Sequence, residues 1–584
     1  MIGNREISKI LYEIGEYLEI KGVAFKPRAY EKAGYSIENL EEEVSEIYKK
    51  SGLKAVEDIP GVGVSIALKV EELLKTGRLK YYEKLKKSFP VKIGELSAIE
   101  GVGPKIIFKL YKKLKIRNTS DLEKAAKSGK IAKIPGFGEK TESKILKSIE
   151  FLKKSGGRFL LGAILLQARS IENRLKELKH VKRVAIAGSL RRMQETVGDL
   201  DILVTVQDSR PAFAKASAGK IMKFFVSMPE VAHVYSQGQT KTMIRLKNGL
   251  DADLRVVDDK NFGAALQYFT GDKRHNITIR ALAEKKGYKL NEYGLWRGRK
   301  LIAGRTEEEI YKALGMATPL PEIRNDSGEI QAALKNKLPK LIGYGDVRGD
   351  LQVHTNWTDG ENSIEEMAQA ASDAGLEYIA ITDHTKSLAM TGGADEKKLL
   401  KQMIAIDKLN LKFKIKNLKF RILKGAEVNI LKDGSLDIED IVLAKLDVVG
   451  IAVHSHFHLP RAEQTKRIIK AMKNKNADIL FHPTGRLIQK REPYDVDVEE
   501  IIKSAKETGT VLEIDADPYR LDLKDEYIRK AVEAGVNLAI NTDAHSKNSF
   551  HNLEFGIAQA RRGWAKASDI INARPWQEML RLLK

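Results

Sequence analysis

Residues 188–204, GSLRRMQETVGDLDILV, bring a Gly-Ser turn, two arginines and two carboxylates into one short stretch. An apolar run precedes Gly188 and Ser189, which predicts a strand ending in a turn whose backbone N–H groups can hold a phosphate. Asp199 and Asp201 alternate with apolar residues, so both carboxylates lie on one face of a second strand. Carboxylates at this spacing suit Mg²⁺, which takes its other ligands from water and substrate phosphates. The pattern predicts phosphoryl or nucleotidyl transfer from a nucleoside triphosphate.

The stretch resembles the nucleotidyltransferase superfamily and, within it, the family X DNA polymerases. The resemblance implies that Asp199 and Asp201 hold Mg²⁺ or Mn²⁺ and that a third carboxylate follows on a neighbouring strand. The run GLDADLRVV supplies Asp253 as the third metal ligand and the acceptor of the primer hydroxyl proton. The resemblance also implies contacts to the triphosphate from Gly188, Ser189, Arg192 and Gly198. An arginine suits this role because its planar fork matches phosphate oxygens.

A later segment, YFTGDKRHNITIR at 268–280, resembles the part of the same family that binds the incoming nucleotide. The resemblance implies contacts to the sugar from Tyr268, Phe269 and Gly271. Asn276 would then face the base edge, and Arg280 would face the template. An alternative interpretation makes the two aromatic residues core side chains that precede a glycine turn.

Length and charge indicate several domains and a polyanionic partner. The chain has 584 residues, too many for one hydrophobic core, and a formal charge of +22 that suits nucleic acid. Residues 51–150 hold 22 basic against 12 acidic residues, so the positive charge is concentrated there. The absence of cysteine excludes disulfides and thiolate zinc sites. No apolar run reaches transmembrane length, so we expect a cytoplasmic protein that does not bind a membrane. The resemblance to the family X polymerases implies a nucleoid-associated monomer that binds gapped or primed DNA and dNTPs.

One short motif occurs three times in or beside this basic segment: IPGVG at 59–63, IEGVG at 99–103 and IPGFG at 134–138. Each copy is followed by an apolar helix that contains lysine. The pattern is typical of helix-hairpin-helix motifs, whose Gly-x-Gly turn presents backbone N–H groups to a DNA phosphate without reading bases. The predicted DNA contacts are at Gly61, Gly63, Gly101, Gly103, Gly136 and Gly138.

In the family that the chain resembles, the first hairpin belongs to a small helical domain that binds the 5′ side of a gap. Some members excise deoxyribose phosphate there through a lysine Schiff base. Lys69 matches that lysine by position, and Lys26 and Tyr30 match phosphate contacts. Ser65 replaces a further family lysine, which weakens the lyase interpretation because Schiff-base lysines often rely on a neighbouring charge. Phosphate binding by Lys69 is the alternative.

The histidines are concentrated in the last part of the chain, where eight of the eleven fall between residues 354 and 551. Six apolar, strand-like runs in this part end at or near a His, Asp or Glu, and helical stretches separate several of them. Strands that alternate with helices and carry functional groups at their carboxyl ends indicate a βα barrel with its site on that face.

Three frames of this region, GDLQVHTNWTDG, ITDHT and NTDAH, resemble the polymerase and histidinol phosphatase (PHP) family. The resemblance implies two or three Mn²⁺ or Zn²⁺ ions held by His354, Asp359, His384, Glu427, His454, His482, Asp543 and His545. Gln352 stands where the family's first motif usually has a histidine, and an amide oxygen binds such ions more weakly than imidazole does. We expect His456 and His458 at the substrate or the surface rather than as ligands.

Clustered metal ions can activate water and stabilise the leaving oxygen of a phosphate ester. A site of this kind beside a polymerase predicts processing of DNA 3′ ends. The activity could be that of a 3′–5′ exonuclease, a 3′-phosphatase or an endonuclease at abasic sites, and the sequence leaves the three open.

Together these parts predict a multidomain α+β and α/β chain with helical helix-hairpin-helix domains, a nucleotidyltransferase palm with a mixed sheet, and a distorted βα barrel at the C-terminus. The expected parts are a lyase-like DNA-binding domain at 1–85, a domain with two further hairpins at 86–154, the palm at 155–262, a nucleotide-side domain at 263–318, a linker with one short helix at 319–345 and the PHP domain at 346–584. Within the palm, the small and polar residues 209–220 predict a surface loop. An apolar helix that carries Trp576, Met579, Leu580 and Leu583 would seal the barrel.

The sequence therefore predicts a family X DNA polymerase that fills short gaps in DNA repair and processes 3′ ends with its PHP domain. One rival hypothesis is an enzyme that acts mainly as a PHP 3′-end nuclease or phosphatase and polymerises weakly. A rival of another class is a DNA-binding scaffold that recruits repair partners.

Overall fold

The structure is a computed structural model that describes residues 3–20, 23, 26–38, 40, 42–59, 61–93, 96, 99, 102, 104–155, 157–207, 211–388, 391–415 and 419–584. In chain order these residues form a helical region, a mixed five-stranded sheet, a three-stranded sheet with helices, and a parallel barrel of seven strands. The predicted fold class is confirmed.

The helical region is built around one hydrophobic core. Ile7, Leu11 and Ile14 share one face of the first helix and are fully buried, as their spacing predicts. A single hydrophobic cluster extends from Ile7 to Ile149, so the two predicted helical domains share this core. The helices are Asn4–Ile20, Lys26–Glu38, Val44–Glu57, Val64–Thr76, Lys80–Ser88, Pro104–Leu114, Thr119–Lys127 and Glu139–Ser155.

The palm has seven strands: β1 Phe159–Leu160, β2 Val181–Ile186, β3 Thr196–Val197, β4 Asp199–Val206, β5 Val231–Gln237, β6 Lys241–Leu246 and β7 Asp251–Val256. β1 and β3 form a small antiparallel pair, and the other five form one sheet with the order β2-β4-β7-β6-β5. β4 and β7 run parallel, and the other neighbouring pairs of this sheet are antiparallel, so the sheet is mixed. The helices are Leu161–Lys176, Gly188–Arg191 and Pro211–Ser227.

The predicted surface loop 209–220 is wrong, because the described part of it begins the helix Pro211–Ser227. Proline is favoured at the first position of a helix, and alanine has the highest helix propensity, so the small residues of this segment are compatible with a helix. Ile221, Met222 and Phe225 pack into the core of the palm. This tertiary packing supplies most of the helix's stability and is invisible in local composition.

The next part joins two helices, Phe262–Thr270 and Lys273–Lys285, to a small antiparallel sheet and the helix Glu307–Ala313. The three strands of this sheet are β8 Lys289–Asn291, β9 Gly294–Arg297 and β10 Lys300–Ala303. This part of the chain, helices and sheet together, folds around its own cluster of apolar residues, which includes Ile279, Leu295 and Ile310.

The segment 319–345, predicted as a linker, contains the expected short helix, Glu329–Leu334. It is packed against its neighbours rather than extended. Arg324 is buried and pairs with Glu307, and the buried Glu329 pairs with His275 Nδ1 at 2.6 Å. Composition could not show this, because the residues that anchor the segment lie elsewhere in the sequence.

The last part is a parallel barrel in which each strand pairs with the next along the chain. A bridge between Val353 and Ala544 brings the first strand beside the end of the last, so the barrel is nearly closed. Its strands are β11 Gly349–Val353, β12 Tyr378–Ile381, β13 Arg421–Asn429, β14 Val448–Ala452, β15 Ile479–Leu480, β16 Val511–Asp515 and β17 Leu538–Asn541.

Helices surround this barrel and close one end of it. The helices are Ile364–Asp373, Glu396–Ile415, Asp440–Leu443, Arg461–Met472, Val498–Thr508, Asp525–Ala534, Leu553–Arg562 and Trp576–Leu580. Met579 is fully buried in a cluster with Tyr378 and Phe481, and Trp576, Leu580 and Leu583 pack against that cluster, as predicted. In the part of the chain that the structure describes, no helix combines the length and apolar character needed to cross a membrane.

Buried polar contacts join the palm to the barrel. Arg486 pairs with Glu195 at 2.6 Å, and Gln559 donates to the same carboxylate at 2.8 Å. A second pair, Arg169 Nη1 to Glu554 Oε2 at 2.8 Å, lies on the same interface. Because Glu195 belongs to the stretch 188–204, the barrel contacts the polymerase turn directly.

Candidate active sites

Three carboxylates come together where β4 and β7 run side by side. Asp199 opposes Asp251 and Asp201 opposes Asp253 in the strand register, so all four side chains share one face of the sheet. The Asp251 carboxylate is bound by Arg245, whose Nε and Nη2 lie 2.7 and 2.9 Å from its oxygens. The structure thus places the three predicted metal ligands on one face of the sheet, where Asp251 pairs with Arg245 and Asp253 Oδ2 lies 3.8 Å from Lys241 Nζ.

The electrostatics of this group fit a divalent cation. Burial and the charges of Asp199 and Asp253 raise the pKa of Asp201 to about 7, although Arg255 and Lys241 act in the opposite direction. A cation between the carboxylates would relieve this repulsion. Three hard oxygen donors on one face of a sheet suit Mg²⁺ or Mn²⁺.

The turn before β4 packs directly on Asp201. Gly188 has a φ of 65°, and a Cβ atom at this position would lie 2.6 Å from Asp201 Oδ2. Both facts require glycine, because a side chain would strain the backbone and collide with the carboxylate. Ser189 follows in the short helix Gly188–Arg191, and a Cβ at Gly198 would lie 3.2 Å from Arg158 Nη1.

The two arginines of the turn have different environments. Arg191 Nη1 and Nη2 lie 2.9 and 2.7 Å from the two oxygens of Glu307, an ion pair that ties the turn to the next domain. Arg192 donates to the backbone carbonyl of Thr270, and its buried Nε has no hydrogen-bond partner in the described part of the chain. Arg192 therefore retains a donor, whereas both terminal nitrogens of Arg191 are bound within the protein.

Two helices that carry the predicted nucleotide contacts meet at Gly271. Tyr268 and Phe269 pack edge to face with 5.1 Å between ring centroids, and the Arg255 guanidinium lies 4.6 Å from the Phe269 ring centroid. Phe269 packs partly buried against a small apolar cluster, so the aromatic pair has a structural role as well. Arg280 is exposed.

Asn276 is bound within the protein. Its amide nitrogen donates to the Tyr268 carbonyl at 2.6 Å, and its Oδ1 accepts from Gln267 at 2.9 Å. A Cβ at Gly271 would lie 2.6 Å from the same Oδ1, which makes glycine necessary there. In this conformation the amide predicted to face the base edge holds the end of the preceding helix instead.

The eight His, Asp and Glu ligands predicted for the barrel converge at the carboxyl ends of its strands. Three groups have ligand atoms within 4.8 Å of one another: His354, Asp359, His384 and His545; His384, Glu427 and His454; and His354, Glu427 and Asp543. His482 joins them because its Nε2 lies 2.8 Å from Glu427 Oε1. Glu427 thus lies at the centre and contacts four histidines.

The donor set of this cluster fits divalent metal ions. Several of its buried atoms have no hydrogen-bond partner in the described part of the chain, namely both ring nitrogens of His354, His384 Nδ1, Glu427 Oε2, His482 Nδ1 and Asp543 Oδ1. Unpaired buried polar atoms are costly, but they are the expected arrangement for ligands around a common ion. Although burial opposes its charged form, the Glu427 and Asp359 carboxylates raise the pKa of His384 to about 10. Metal ions would take the place of such protons.

Outer contacts orient two of the histidines. His454 Nδ1 lies 2.8 Å from Asn429 Oδ1, and His545 Nδ1 lies 2.7 Å from the Asp543 carbonyl, so the Nε2 atom of each ring faces the cluster. Sequence reasoning missed Asn429. It lies two residues after Glu427 on β13, and the period of two along a strand was the signal that could have found it.

Gln352 lies two residues before His354 on β11 and is fully buried. When the amide of Gln352 is oriented so that both its nitrogen and its oxygen can form hydrogen bonds, the nitrogen donates to the two oxygens of Glu513 at 3.0 and 2.6 Å. The Glu513 carboxylate also accepts from the His482 backbone N–H at 2.6 Å and from Asn541 at 2.7 Å. This network holds the Gln352 amide against the Glu513 carboxylate.

Arg520 is a further residue that sequence reasoning missed. Its Nε lies 3.4 Å from Asp515 Oδ2 and 3.5 Å from Asp543 Oδ2, so a guanidinium borders the metal cluster. The signal that could have found Arg520 was Asp515, which lies five residues earlier at the carboxyl end of β16. A positive charge here can meet the phosphate of a substrate.

Two of the three predicted hairpins have the same turn. Gly61 and Gly136 have φ angles of 86° and 85°, and the helices Val64–Thr76 and Glu139–Ser155 follow these turns. Gly63 and Gly138 each precede the helix directly. Gly101 and Gly103, in the middle copy, lie outside the described residues. DNA contact by these turns stays a prediction.

Lys69 lies in the first helical domain near Lys26 and Tyr30, the two predicted phosphate contacts. Its Nζ donates to the carbonyl and hydroxyl of Ser65 at 2.8 and 2.9 Å and lies 5.9 Å from the ring centroid of Tyr30. Burial lowers the pKa of Lys69, and the charge of Lys26 acts in the same direction. A lowered lysine pKa favours Schiff-base chemistry, but the geometry serves phosphate binding equally, so both hypotheses stand.

Comparison with known proteins relates these sites to a family. The descriptions that match, in chain order, are a helix-hairpin-helix domain at 2–79, a SAM-like helix-hairpin-helix tandem at 93–150, DNA polymerase beta palm at 165–244, DNA polymerase beta thumb at 265–325 and a PHP domain at 350–517. One relative matches the chain almost from end to end. The chain belongs to the family X DNA polymerases that carry a PHP domain.

That relative is the DNA polymerase/3′-5′ exonuclease PolX of Bacillus subtilis (strain 168), 36% identical over 585 residues, which cover 99% of each chain. A "probable phosphatase" of Thermoanaerobacter sp. (strain X514) is 32% identical over 194 residues, 32% of this chain and 73% of that protein. The crystal structure of Leishmania infantum polymerase beta has 24% identity and a TM-score of 0.28, and its match covers 40% of this chain and 97% of that one.

Proposed function

We propose that the enzyme fills short gaps in DNA during repair by two-metal nucleotidyl transfer, and that its PHP domain processes DNA 3′ ends. The observation that carries the proposal is the register of β4 and β7, which sets Asp201 opposite Asp253 beside the Gly188 turn. The name of the end-to-end relative, DNA polymerase/3′-5′ exonuclease, supports both activities.

In the palm, Asp199 and Asp201 would hold two Mg²⁺ or Mn²⁺ ions, and Asp253 would hold the one nearer the primer. These ions supply charge neutralisation for the transferred phosphoryl group. Asp253 would accept the proton of the primer 3′-hydroxyl, and Ser189 and Arg192 would bind the triphosphate. Gly188 keeps Asp201 in place, since the turn and the carboxylate are in contact.

In the barrel, the eight His, Asp and Glu residues of the cluster would hold two or three Mn²⁺ or Zn²⁺ ions, with Gln352 as a weaker additional ligand. Such ions supply Lewis-acid activation of a phosphate ester and of the water that attacks it. Glu427 would connect the metal positions, Asn429 would orient His454, and Arg520 would bind the phosphate of the 3′ terminus.

The polymerase assignment is tested by incorporation of one nucleotide into a gap that carries a 5′-phosphate. We expect Asp253→Asn to lower the rate of extension by at least 100-fold, because it removes both a metal ligand and the proton acceptor. Asp251→Asn is the matched control, since Asp251 lies on the same strand and face but pairs with Arg245. Equal losses in the two variants would contradict the assignment.

The end chemistry is tested with three labelled substrates: an unpaired 3′-hydroxyl end, a 3′-phosphate end and an abasic site. We expect Mn²⁺-dependent shortening of the first, abolished by Glu427→Gln. Cleavage of the 3′-phosphate end alone would indicate a phosphatase instead of an exonuclease. Cleavage of the abasic site alone would indicate an abasic endonuclease. The scaffold hypothesis predicts DNA binding without any of these reactions. The hypothesis of a PHP nuclease or phosphatase predicts processing of 3′ ends with little gap filling.

A further inference from the structure

The loop after β16 connects the barrel's metal cluster to the palm within a few residues. Arg520 borders the cluster, with its Nε 3.5 Å from Asp543 Oδ2. Two residues earlier, Pro518 packs against the palm helix Leu161–Lys176 so closely that a Cβ at Gly162 would lie 2.5 Å from Pro518 Cβ. The residue between them, Tyr519, therefore lies at the junction of the two catalytic parts.

Tyr519 presents an exposed aromatic ring on an anchored backbone. Its backbone N–H donates to Asp517 Oδ1 at 2.7 Å, and its carbonyl accepts from the Ile488 N–H at 2.6 Å. The residue is nevertheless 46% exposed. A ring held in this way loses little conformational freedom when a ligand stacks on it, so binding costs less entropy than at a mobile side chain.

One cation lies over this ring, and two more lie nearby. The Lys490 Nζ lies 4.3 Å from the Tyr519 ring centroid. The next residue, Arg491, has its guanidinium 4.6 Å from the Phe457 ring centroid, and burial and the nearby charge of Arg520 lower the pKa of Arg491. The surface thus combines an aromatic ring with three cations, and we call Tyr519, Lys490, Arg491 and Arg520 the junction patch.

We infer that the junction patch binds the unpaired 3′ end of a DNA strand on its way into the barrel's metal cluster. A terminal base would stack on the free face of the Tyr519 ring, Lys490 would meet the neighbouring phosphate, and Arg520 would meet the scissile one. Aromatic rings beside a positive groove are the usual means of binding single-stranded nucleic acid, because every base has a face that can stack. The inference rests on the proposed 3′-end processing, and it adds the residues outside the metal cluster that hold the terminus.

The binding test uses a single-stranded oligonucleotide with 2-aminopurine at its 3′ end, in EDTA so that no hydrolysis occurs, with the full-length protein. Stacking quenches 2-aminopurine, so we expect wild type and Tyr519→Trp to quench it. Tyr519→Ala should lose the quenching and bind about 5- to 100-fold more weakly, the range measured for one base stacked on an aromatic ring. Lys490→Ala should weaken binding and reduce its salt dependence.

Lys530→Ala is the matched control for Lys490→Ala, because Lys530 Nζ also lies over a tyrosine ring, 5.8 Å from the centroid of Tyr527, but on the helix Asp525–Ala534. Tyr519→Phe should behave as wild type, since it keeps the ring. Unchanged quenching and affinity in Tyr519→Ala, or equal losses in Tyr519→Phe and Tyr519→Ala, would overturn the inference.

A second measurement separates this inference from the proposed function. Tyr519→Ala should raise the KM for 3′ shortening of the oligonucleotide and leave the hydrolysis of bis(4-nitrophenyl) phosphate and the filling of a paired gap unchanged. If wild type quenches 2-aminopurine through Tyr519 but hydrolyses neither the oligonucleotide nor the small ester, the binding role of the junction patch is supported and the proposed 3′-end hydrolysis is refuted. If Tyr519→Ala loses hydrolysis of the small ester as well, Tyr519 supports the metal cluster and the binding role is refuted.

Discussion

Contact between one glycine and one carboxylate determines the geometry of the polymerase site at the scale of residues. Gly188 holds its turn in a left-handed conformation against Asp201, whose pKa is raised by burial and by two neighbouring carboxylates. A buried carboxylate in such a position has little room to adjust. Small displacements of reacting groups lower rates strongly, because the productive geometry is narrow.

Gly188→Ala should therefore lower the rate of gap extension by about 100-fold or more, because the added methyl group pushes the Asp201 carboxylate out of place. Single-turnover incorporation of one nucleotide measures the effect. Gly287→Ala is the matched control, since Gly287 has a φ of 74° but open space around its Cβ position. Similar extension by both variants would show that the contact with Asp201 has no role.

Gln352→His should strengthen metal binding at the His354, Glu427 and Asp543 group, because imidazole is a better ligand than an amide oxygen for Mn²⁺ or Zn²⁺. We expect more ions per chain after dialysis against a limiting chelator, measured by elemental analysis, and tighter binding by calorimetry. An unchanged ion count would mean that Gln352 only buttresses Glu513 and that no cation reaches its side chain.

The sequence predicted the acidic residues and histidines that the structure brings together at the two candidate sites, and it missed the residues that contact them from outside. Asp543 and His545 follow a strand directly, so spacing and the family resemblance were enough to place them. Glu513 became visible only through its contacts with Gln352 and Asn541, which are distant in the sequence, and Asn276 is bound to the end of the preceding helix where a base contact was expected. Such contacts depend on tertiary packing, which spacing along one strand does not specify.

At the scale of elements, a buried carboxylate ties the polymerase turn to the nucleotide-side domain. Glu307, the first residue of its helix, lies between Arg191 and Arg324. Although burial opposes its ionisation, the two guanidinium groups lower the pKa of Glu307 to about 2. A depressed carboxylate pKa stabilises the folded state at pH values above the ordinary pKa, and this contribution is lost as the pH falls toward the folded pKa.

Glu307→Gln should destabilise the domain by about 3–5 kcal/mol at pH 7, since it leaves two guanidinium groups without their counter-charge. The difference in thermal midpoint between the variant and wild type should shrink as the pH falls from 5 toward 2, where wild type loses the same interaction. Thermal unfolding followed across this range measures it. A difference that stays constant with pH would contradict the assigned ion pair.

Elements with a strong period were predictable, and elements stabilised by distant partners were not. Six of the seven barrel strands, β12 to β17, follow the predicted apolar runs that end at or near a His, Asp or Glu, and the first helix follows its apolar stripe. The segment 209–220, part of which begins the helix Pro211–Ser227, was predicted as a loop because its small residues show no clear period, although Phe225 further along the helix is buried in the palm core. The segment 319–345 looked like a linker because its anchors, Glu307 and His275, lie outside it.

At the scale of the whole molecule, two candidate catalytic sites lie on separate parts that share a polar interface. Glu195, in the polymerase stretch, pairs with Arg486, four residues after the barrel ligand His482. The two sites have distinct ligand sets, one of three aspartates on a mixed sheet and one of histidines and acids at a barrel end. A substitution at one site should therefore abolish the activity of that site and leave the activity of the other site intact.

The most direct test uses a 5′-labelled primer in a one-nucleotide gap with a 5′-phosphate, with Mn²⁺ or Mg²⁺, with and without dNTPs, for wild type, Asp199→Ala and His384→Ala. We predict that Asp199→Ala loses primer extension and keeps primer shortening, and that His384→Ala keeps extension and loses shortening. Loss of both activities in either variant, or shortening without extension in wild type, would contradict two separate catalytic sites.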